Sequence, residues 1–224
     1  MSVIVERLEL GSLISPQRNQ VIPIHNWYTF KHGYSRDLAI ILITYFKLPE
    51  GSWVLDPFCG SGTTLLTCKE LGINSRGFDI LPFSVLLSNV KISDYDDREL
   101  TRELELLKEN SNNYSAKTVL PDIPLVNKAF QPGIRSELLL LKHKIKMIDD
   151  PKIRSFFNLG FLGILESVSN TSKTGGFLRI VDRDVSSSDV QNLFFSRVTS
   201  MINDVKEYNK ATQKKANLLA SARP

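Results

Sequence analysis

No run in this 224-residue chain approaches the roughly 18 consecutive apolar residues that a membrane-spanning helix requires, so no membrane partner is expected. The opening stretch, Met-Ser-Val-Ile-Val-Glu-Arg-Leu-Glu-Leu, carries charges inside its apolar run and does not read as a signal peptide. A cytoplasmic location is the resulting expectation. Cysteine is scarce. Cys59 and Cys68 stand nine residues apart, and the three histidines, His25, His32 and His143, are scattered, so no zinc spacing arises and no metal site is expected. Two reduced thiols fit that setting better than a disulfide. Internal repeats and low-complexity stretches are also missing. Charge is nearly balanced, with 28 Lys+Arg against 24 Asp+Glu and a net +4. That mild basic excess is compatible with a polyanionic partner without demanding one. With 42% hydrophobic and 23% charged residues, the chain can build an ordinary buried core.

The punctuation along the chain predicts three regions. Residues 1–24 read as an extended lead-in, because Pro16 and Pro23 discourage regular helix. Residues 25–94 alternate helix and strand. Ser35 to Phe46 reads as a helix capped by Ser35, with Asp37 in its first turn and Leu38, Ile41, Leu42 and Tyr45 on one face. Ser52 to Asp56 reads as a short buried strand ending in an acid. A glycine loop follows, then a helix over Thr63–Leu71 closed by Gly72. Asn74 to Asp79 is a second short strand ending in an acid, and Pro82 opens another helix. That order is a βαβα unit and implies a parallel, doubly wound sheet. Residues 95–224 read as mainly helical, with helices over 95–110, 134–149, 156–168 and 188–220. Loops are expected over 111–133 and 169–176, and no second set of alternating strands is expected.

The informative segment is Val54-Leu-Asp-Pro-Phe-Cys-Gly-Ser-Gly-Thr-Thr64. Gly60 and Gly62 permit a sharp turn and a close backbone approach to a ligand, and the following helix points its unpaired amides into the loop. A P-loop would need Gly-Lys-Ser/Thr, and a dinucleotide fingerprint would need a third glycine where Leu65 stands. Asp56 before the loop suits a cationic, amine-bearing ligand better than a diphosphate. Asp79 lies 23 residues later at the next strand tip, where it can accept hydrogen bonds from ribose hydroxyls. A ligand with an amino-acid end and a ribose end is indicated, and S-adenosylmethionine has both. The structural alternatives are a glycine turn that merely packs a helix on a sheet, with Asp79 capping a helix. Cys59 reads as a small filler, not a nucleophile, because nothing beside it would lower its pKa.

These residues resemble the cofactor motif of the DNA methyltransferases that modify exocyclic amino groups of adenine (N6) or cytosine (N4). Gly77-Phe-Asp-Ile80 resembles the next motif of that family, and Trp27-Tyr-Thr-Phe-Lys-His-Gly-Tyr-Ser35 resembles the segment preceding the glycine loop. The likeness covers about residues 25–92, and Ser167 to Gly176 weakly resembles a loop of some larger members. It implies an α/β fold with part of a Rossmann-like class I methyltransferase sheet and a mainly helical insertion. It also implies S-adenosyl-L-methionine as cofactor. Phe58, Cys59, Gly60, Ser61, Gly62 and Thr63 would then line the methionine end, with Asp56 orienting the loop and the methionine amine and Pro57 beside it in the cofactor site. Asp79 and Ile80 would grip the adenosine, and Phe30, Tyr34 and Ser35 would cover the carboxylate. The family's second motif, Asp/Asn/Ser-Pro-Pro-aromatic, holds the target amine and stacks on a flipped-out base. The chain contains no Pro-Pro, so its catalytic residues are unknown, and a second polypeptide is expected to complete the enzyme. DNA is the expected substrate of that restriction-modification-type split enzyme. Basic residues Arg135, Lys142, His143, Lys144, Lys146, Lys152, Arg154, Lys206, Lys210, Lys214 and Lys215 offer either phosphate contacts or solvated helix surface. An RNA guanine-amino methyltransferase, a non-catalytic cofactor-binding regulatory subunit and a plain α/β interaction domain remain open alternatives.

Overall fold

The computed structural model describes residues 7–49, 51–109, 123–174, 177–181 and 183–221. It divides into two compact units, residues 1–94 and 95–224.

In the first unit, the expected extended lead-in is corrected. Leu8–Leu13 and Pro16–Val21 are 3-10 helices. Pro16 occupies the first helical position, where its missing N–H costs nothing, and Ser15 caps the turn, its Oγ accepting from the Gln17 amide at 3.4 Å. Helix α1 spans Arg36–Tyr45, and Ser35 caps it by accepting the Leu38 amide at 3.3 Å. Strand β1 (Trp53–Asp56) leads through the glycine loop into α2 (Thr63–Leu71). Strand β2 (Asn74–Gly77) leads into α3 (Pro82–Ile92), again with proline at the first position. The two strands pair in parallel, Trp53 opposite Asn74 through Asp56 opposite Gly77. This is an α/β arrangement with a small parallel sheet and helices around it.

Strand β1 is not the fully buried strand expected. Exposure alternates along it, with Trp53 66% and Leu55 62% exposed while Val54 and Asp56 are half-buried. The reason is that helix α2 packs against the pair from one side: a Cβ added at Gly77 would lie 2.7 Å from Leu65 of α2. Two polar anchors hold the helices. Lys69 of α2 donates its ammonium to the carbonyls of Ile92 (2.6 Å) and Ser93 (3.2 Å) at the end of α3, and pairs with Asp94 at 2.7 Å. Lys91, buried in α3, donates to the His25 carbonyl at 3.1 Å. A partly buried ion pair sits nearby, with His25 beside it. Glu70 accepts from Arg36 Nε at 2.5 Å, and His25 Nε2 lies 3.4 Å from its other oxygen without hydrogen-bond geometry.

The second unit is mainly helical. Helix α4 (Asp97–Glu109) buries Leu100, Leu104 and Leu107, and α6 (Pro132–Lys146) buries Ile134, Leu138, Leu141 and Ile145, both at helical spacing. Helix α7 (Pro151–Ile164) starts at Asp150, whose carboxylate accepts the Lys152 and Ile153 amides. Helix α8 is a single helix over Ser187–Ser221. Its Val190, Phe194, Val198, Met201 and Val205 are buried, and it packs against α4, α6 and α7. Helix α5 (Pro124–Ala129) lies where a loop was expected, since Pro124 and Pro132 open helices instead of breaking them. The rest of that expected loop, 111–122, lies outside the described residues. A second correction concerns 169–176. Strands β3 (Thr171–Thr174) and β4 (Phe177–Ile180) form an antiparallel pair. The Gly175-Gly176 dipeptide between two short runs was the available hairpin signal.

Candidate functional site

The site forms at the C-terminal ends of β1 and β2, where each strand hands over to a helix. Asp56 closes β1 and its carboxylate works inward. One oxygen accepts the Phe58 amide at 3.1 Å and the other accepts the Tyr34 hydroxyl at 3.1 Å. Tyr34 also hydrogen-bonds Thr64 of α2. Burial pushes its phenol up to about 12, so the ring keeps its proton and remains available as a donor to Asp56.

The loop then doubles back. Gly62 donates to the Cys59 carbonyl at 2.7 Å, and Cys59 donates to the Phe78 carbonyl at 2.9 Å, tying the loop to the turn after β2. Gly60 and Gly62 both adopt the left-handed region, with φ of 49° and 74°. Space enforces glycine at 62 as well, because a Cβ there would stand 2.8 Å from the Ser88 Cβ of α3. At Gly60 an added Cβ would meet the Phe30 ring at 3.3 Å. Gly62 caps α2 without any side-chain acceptor, while Ser61 and Thr63, both buried, approach within 3.3 Å through their hydroxyls. Cys59 is buried beside Ser88, and that burial raises its thiol, which suits a packing role.

Asp79 reaches back across the site. Its Oδ1 accepts the Leu81 amide and its Oδ2 the Gly60 amide, each at 2.9 Å. The Leu81 amide, against a small burial cost and with help from the Gly60 amide, holds the carboxyl below its ordinary range. Phe58 and Ile80 flank this junction, 86% and 94% exposed, as two large apolar side chains facing solvent. Pro57 is exposed in the same turn.

The structure therefore gathers Asp56, Cys59, Gly60, Gly62 and Asp79 into one hydrogen-bonded loop system, with Phe30 against Gly60. Tyr34 and Ser35 point their polar atoms into the protein, at Asp56 and at the α1 amides, and so act as supports for the loop and helix. Sequence reasoning missed Thr64, Ser88 and the Leu81 amide. Only the tertiary approach of α3 to the glycine loop reveals Ser88, whereas the Leu81 amide is a local partner two residues from Asp79.

Residues 29–89 match the family model described as DNA methylase. Over this stretch the chain is similar to the N6/N4 DNA methylases. The methylase segment brackets the whole site, from Thr29 to Asn89. Over 181 residues the chain is 37% identical to the Type II methyltransferase M.BsoBI of Geobacillus stearothermophilus, covering 79% of this chain and 35% of that protein. It is 27% identical over 173 residues to the Type II methyltransferase M.AvaI of Nostoc sp., covering 75% and 35% respectively. A 76-residue stretch is 43% identical to the Type II methyltransferase M.MjaII of Methanocaldococcus jannaschii, 33% of this chain and 14% of that one. The chain thus spans about a third of the length of the first two relatives. No solved structure matches it. Among the described residues no helix is long and apolar enough to cross a membrane, and no cluster of three or more His, Cys, Asp or Glu could hold a metal ion.

Proposed function

We propose that the chain is the S-adenosylmethionine-binding portion of a site-specific DNA methyltransferase that acts on an exocyclic amino group of adenine or cytosine. The observation that carries this reading is the Asp79 carboxylate held 2.9 Å from the Gly60 amide, which places an ionised acceptor beside a glycine loop at the tips of two parallel strands. That donor set fits the cofactor. Asp79 keeps lone pairs for ribose hydroxyls after accepting two amides. Ile80 and Phe58 offer apolar surface to the adenine and methionine chain. The α2 N-terminus, capped by a glycine alone, leaves backbone amides for the amino-acid carboxylate. The bound cofactor would supply an activated methyl group. The chain's part is to hold it: Asp56 and Tyr34 fix the loop, and Asp79 fixes the sugar, so that positioning contributes most of the rate gain. A Rossmann-like sheet accords with the parallel β1–β2 pair and its intervening helix.

The target amine would be handled by a Pro-Pro-aromatic motif on a second polypeptide. What supports this is that no Pro-Pro occurs in the 224 residues. The DNA methylase match favours DNA over RNA as substrate. Isothermal calorimetry with S-adenosylmethionine tests the cofactor reading. One-site uptake is expected, and its absence from folded protein overturns the reading. Methylation of duplex DNA by the isolated chain would overturn the two-polypeptide part.

A further inference from the structure

Ser84 and Ser88 stand one turn apart on α3, so they share the helix face that abuts Gly62. Both are buried, Ser84 completely at 0% exposed. Ser88 behaves as serines inside helices commonly do. Its hydroxyl donates back to the Ser84 carbonyl at 2.9 Å and lies 3.2 Å from the Val85 carbonyl. Ser93, just past the helix end, likewise donates to the Asn89 carbonyl at 2.7 Å. The Ser84 hydroxyl makes no hydrogen bond among the described residues.

A buried hydroxyl without a partner weakens the folded state, because it has left water and gained no acceptor in exchange. Alanine would occupy nearly the same space and is the better helix former. On folding grounds alone serine is the poorer residue at this position, so its hydroxyl has a use in some other state of the protein.

The surroundings identify that state. Ser84 is the third residue of α3, and the N-cap residue of that helix, Leu81, caps it with no side-chain acceptor. Asp79 supplies the negative charge at this helix start, where the dipole favours an anion. Its Oδ1 accepts the Leu81 amide and its Oδ2 the Gly60 amide, each at 2.9 Å. Behind those two amides the Ser84 hydroxyl also helps to hold the carboxyl below its ordinary range, yet without the alignment of a hydrogen bond. An unused donor thus stands on the inner side of a carboxylate that still has lone pairs to offer.

We propose, resting on the cofactor reading above, that Ser84 is a positioning residue of the S-adenosylmethionine site. When the ribose engages the outer side of the Asp79 carboxylate, the Ser84 hydroxyl turns to donate to its inner side and fixes its orientation. Ser84 touches no part of the cofactor and acts through Asp79 alone. Its hydroxyl slightly loosens the free protein and tightens the loaded one.

Ser84→Ala in the full chain tests this through two readouts of opposite sign. Its denaturant midpoint should equal or exceed the parent's. Its S-adenosylmethionine affinity, measured by equilibrium dialysis with labelled cofactor, should fall about fivefold, the worth of one hydrogen bond. In an Asp79→Ala background the same substitution should change affinity less than twofold, because the acceptor is gone. A serine with a structural role only would lower the midpoint and reduce affinity by the same factor in both backgrounds. A lowered midpoint, an affinity within twofold of the parent, or equal losses with and without Asp79 overturns the proposal. The two readings fail differently. Parent protein that takes up no S-adenosylmethionine sinks both, whereas parental uptake that is indifferent to Ser84→Ala removes Ser84 and leaves the cofactor reading standing.

Discussion

The Gly60 amide donates to the Asp79 carboxylate at 2.9 Å, so the loop after β1 and the turn after β2 are joined by a side chain before any ligand arrives. The Leu81 amide holds the other oxygen at the same distance. Replacing Asp79 therefore removes two things at once, the clasp and the acceptor for a sugar. Asp79→Ala is expected to weaken S-adenosylmethionine binding at least tenfold. Asp79→Asn keeps one acceptor oxygen and should fall between it and the parent. Calorimetry on protein of parental circular dichroism measures both, and equal affinities across the three would remove Asp79 from the site.

Gly62→Ala is expected to destabilise the first unit by about 1–3 kcal/mol, since a side chain is strained at a φ of 74° and its Cβ meets Ser88. The Ser88 backbone Cα also lies 3.0 Å from that position, so Ser88→Ala should not restore stability. Denaturant titration of the single and double variants checks this. A neutral Gly62→Ala would show that α3 yields freely beneath the loop.

Tyr34→Phe separates support from ligand contact. The hydroxyl donates to Asp56 and bonds Thr64 inside the protein, so its loss should cost about 1–3 kcal/mol of stability. Cofactor affinity should fall by less than it does for Asp79→Ala. A variant of full stability with abolished cofactor uptake would reverse that assignment.

Stability should decline in acid in two windows. Burial lowers the His25 imidazole below its ordinary 6.5, with Glu70 only partly opposing it. The unfolded chain therefore takes up a proton that the folded chain resists, and stability present above pH 6.5 is lost as pH falls through that value. Burial alone would raise Glu70, but His25 and Arg36 outweigh it and hold the carboxyl below its ordinary 4.5. Its contribution, present above 4.5, is lost as pH falls below that. His25→Phe should flatten the upper window and shrink the lower one, because Arg36 alone then holds Glu70 down. Thermal melts from pH 8 to 4 make the comparison, and an unchanged slope between 7 and 5 would refute the His25 assignment.

What could be read from the sequence was local. Ser35 as a cap, the helix from Thr63 to Leu71 and the parallel strands ending near Asp56 and Asp79 all follow from short-range chemistry: a hydroxyl before an apolar repeat, glycines at the turns, acids at strand tips. The failures were tertiary. Trp53 and Leu55 read as core residues because apolarity does not say whether a second face is covered. Pro16, Pro124 and Pro132 read as breakers because proline also suits a helix start, and only context separates the two. The strand at Thr171, Thr-Ser-Lys-Thr, carries no apolar residue to mark it, so only the glycine pair after it signalled the hairpin. Lys144 illustrates the same gap. It sits in a basic run that suggested phosphate contact, yet it is buried, with its ammonium on the Leu107 carbonyl at 3.4 Å and its charged form disfavoured by burial. The exposed members of the basic set, among those whose side chains are described, are Lys142, Lys146, Lys152, Lys206 and Lys210.

Lys69 and Lys91 spend their ammonium groups on carbonyl oxygens, at the end of α3 and in the His25–Trp27 turn respectively. An amine locked that way is a poor nucleophile toward acylating reagents, since it must first surrender its acceptors and lose a proton. These two lysines should therefore be the slowest of the first unit to acquire a label. The moment at which Lys69 becomes reactive during a denaturant ramp would time the parting of α2 from α3, and that of Lys91 the parting of α3 from the His25 turn, with no fluorophore or tag required.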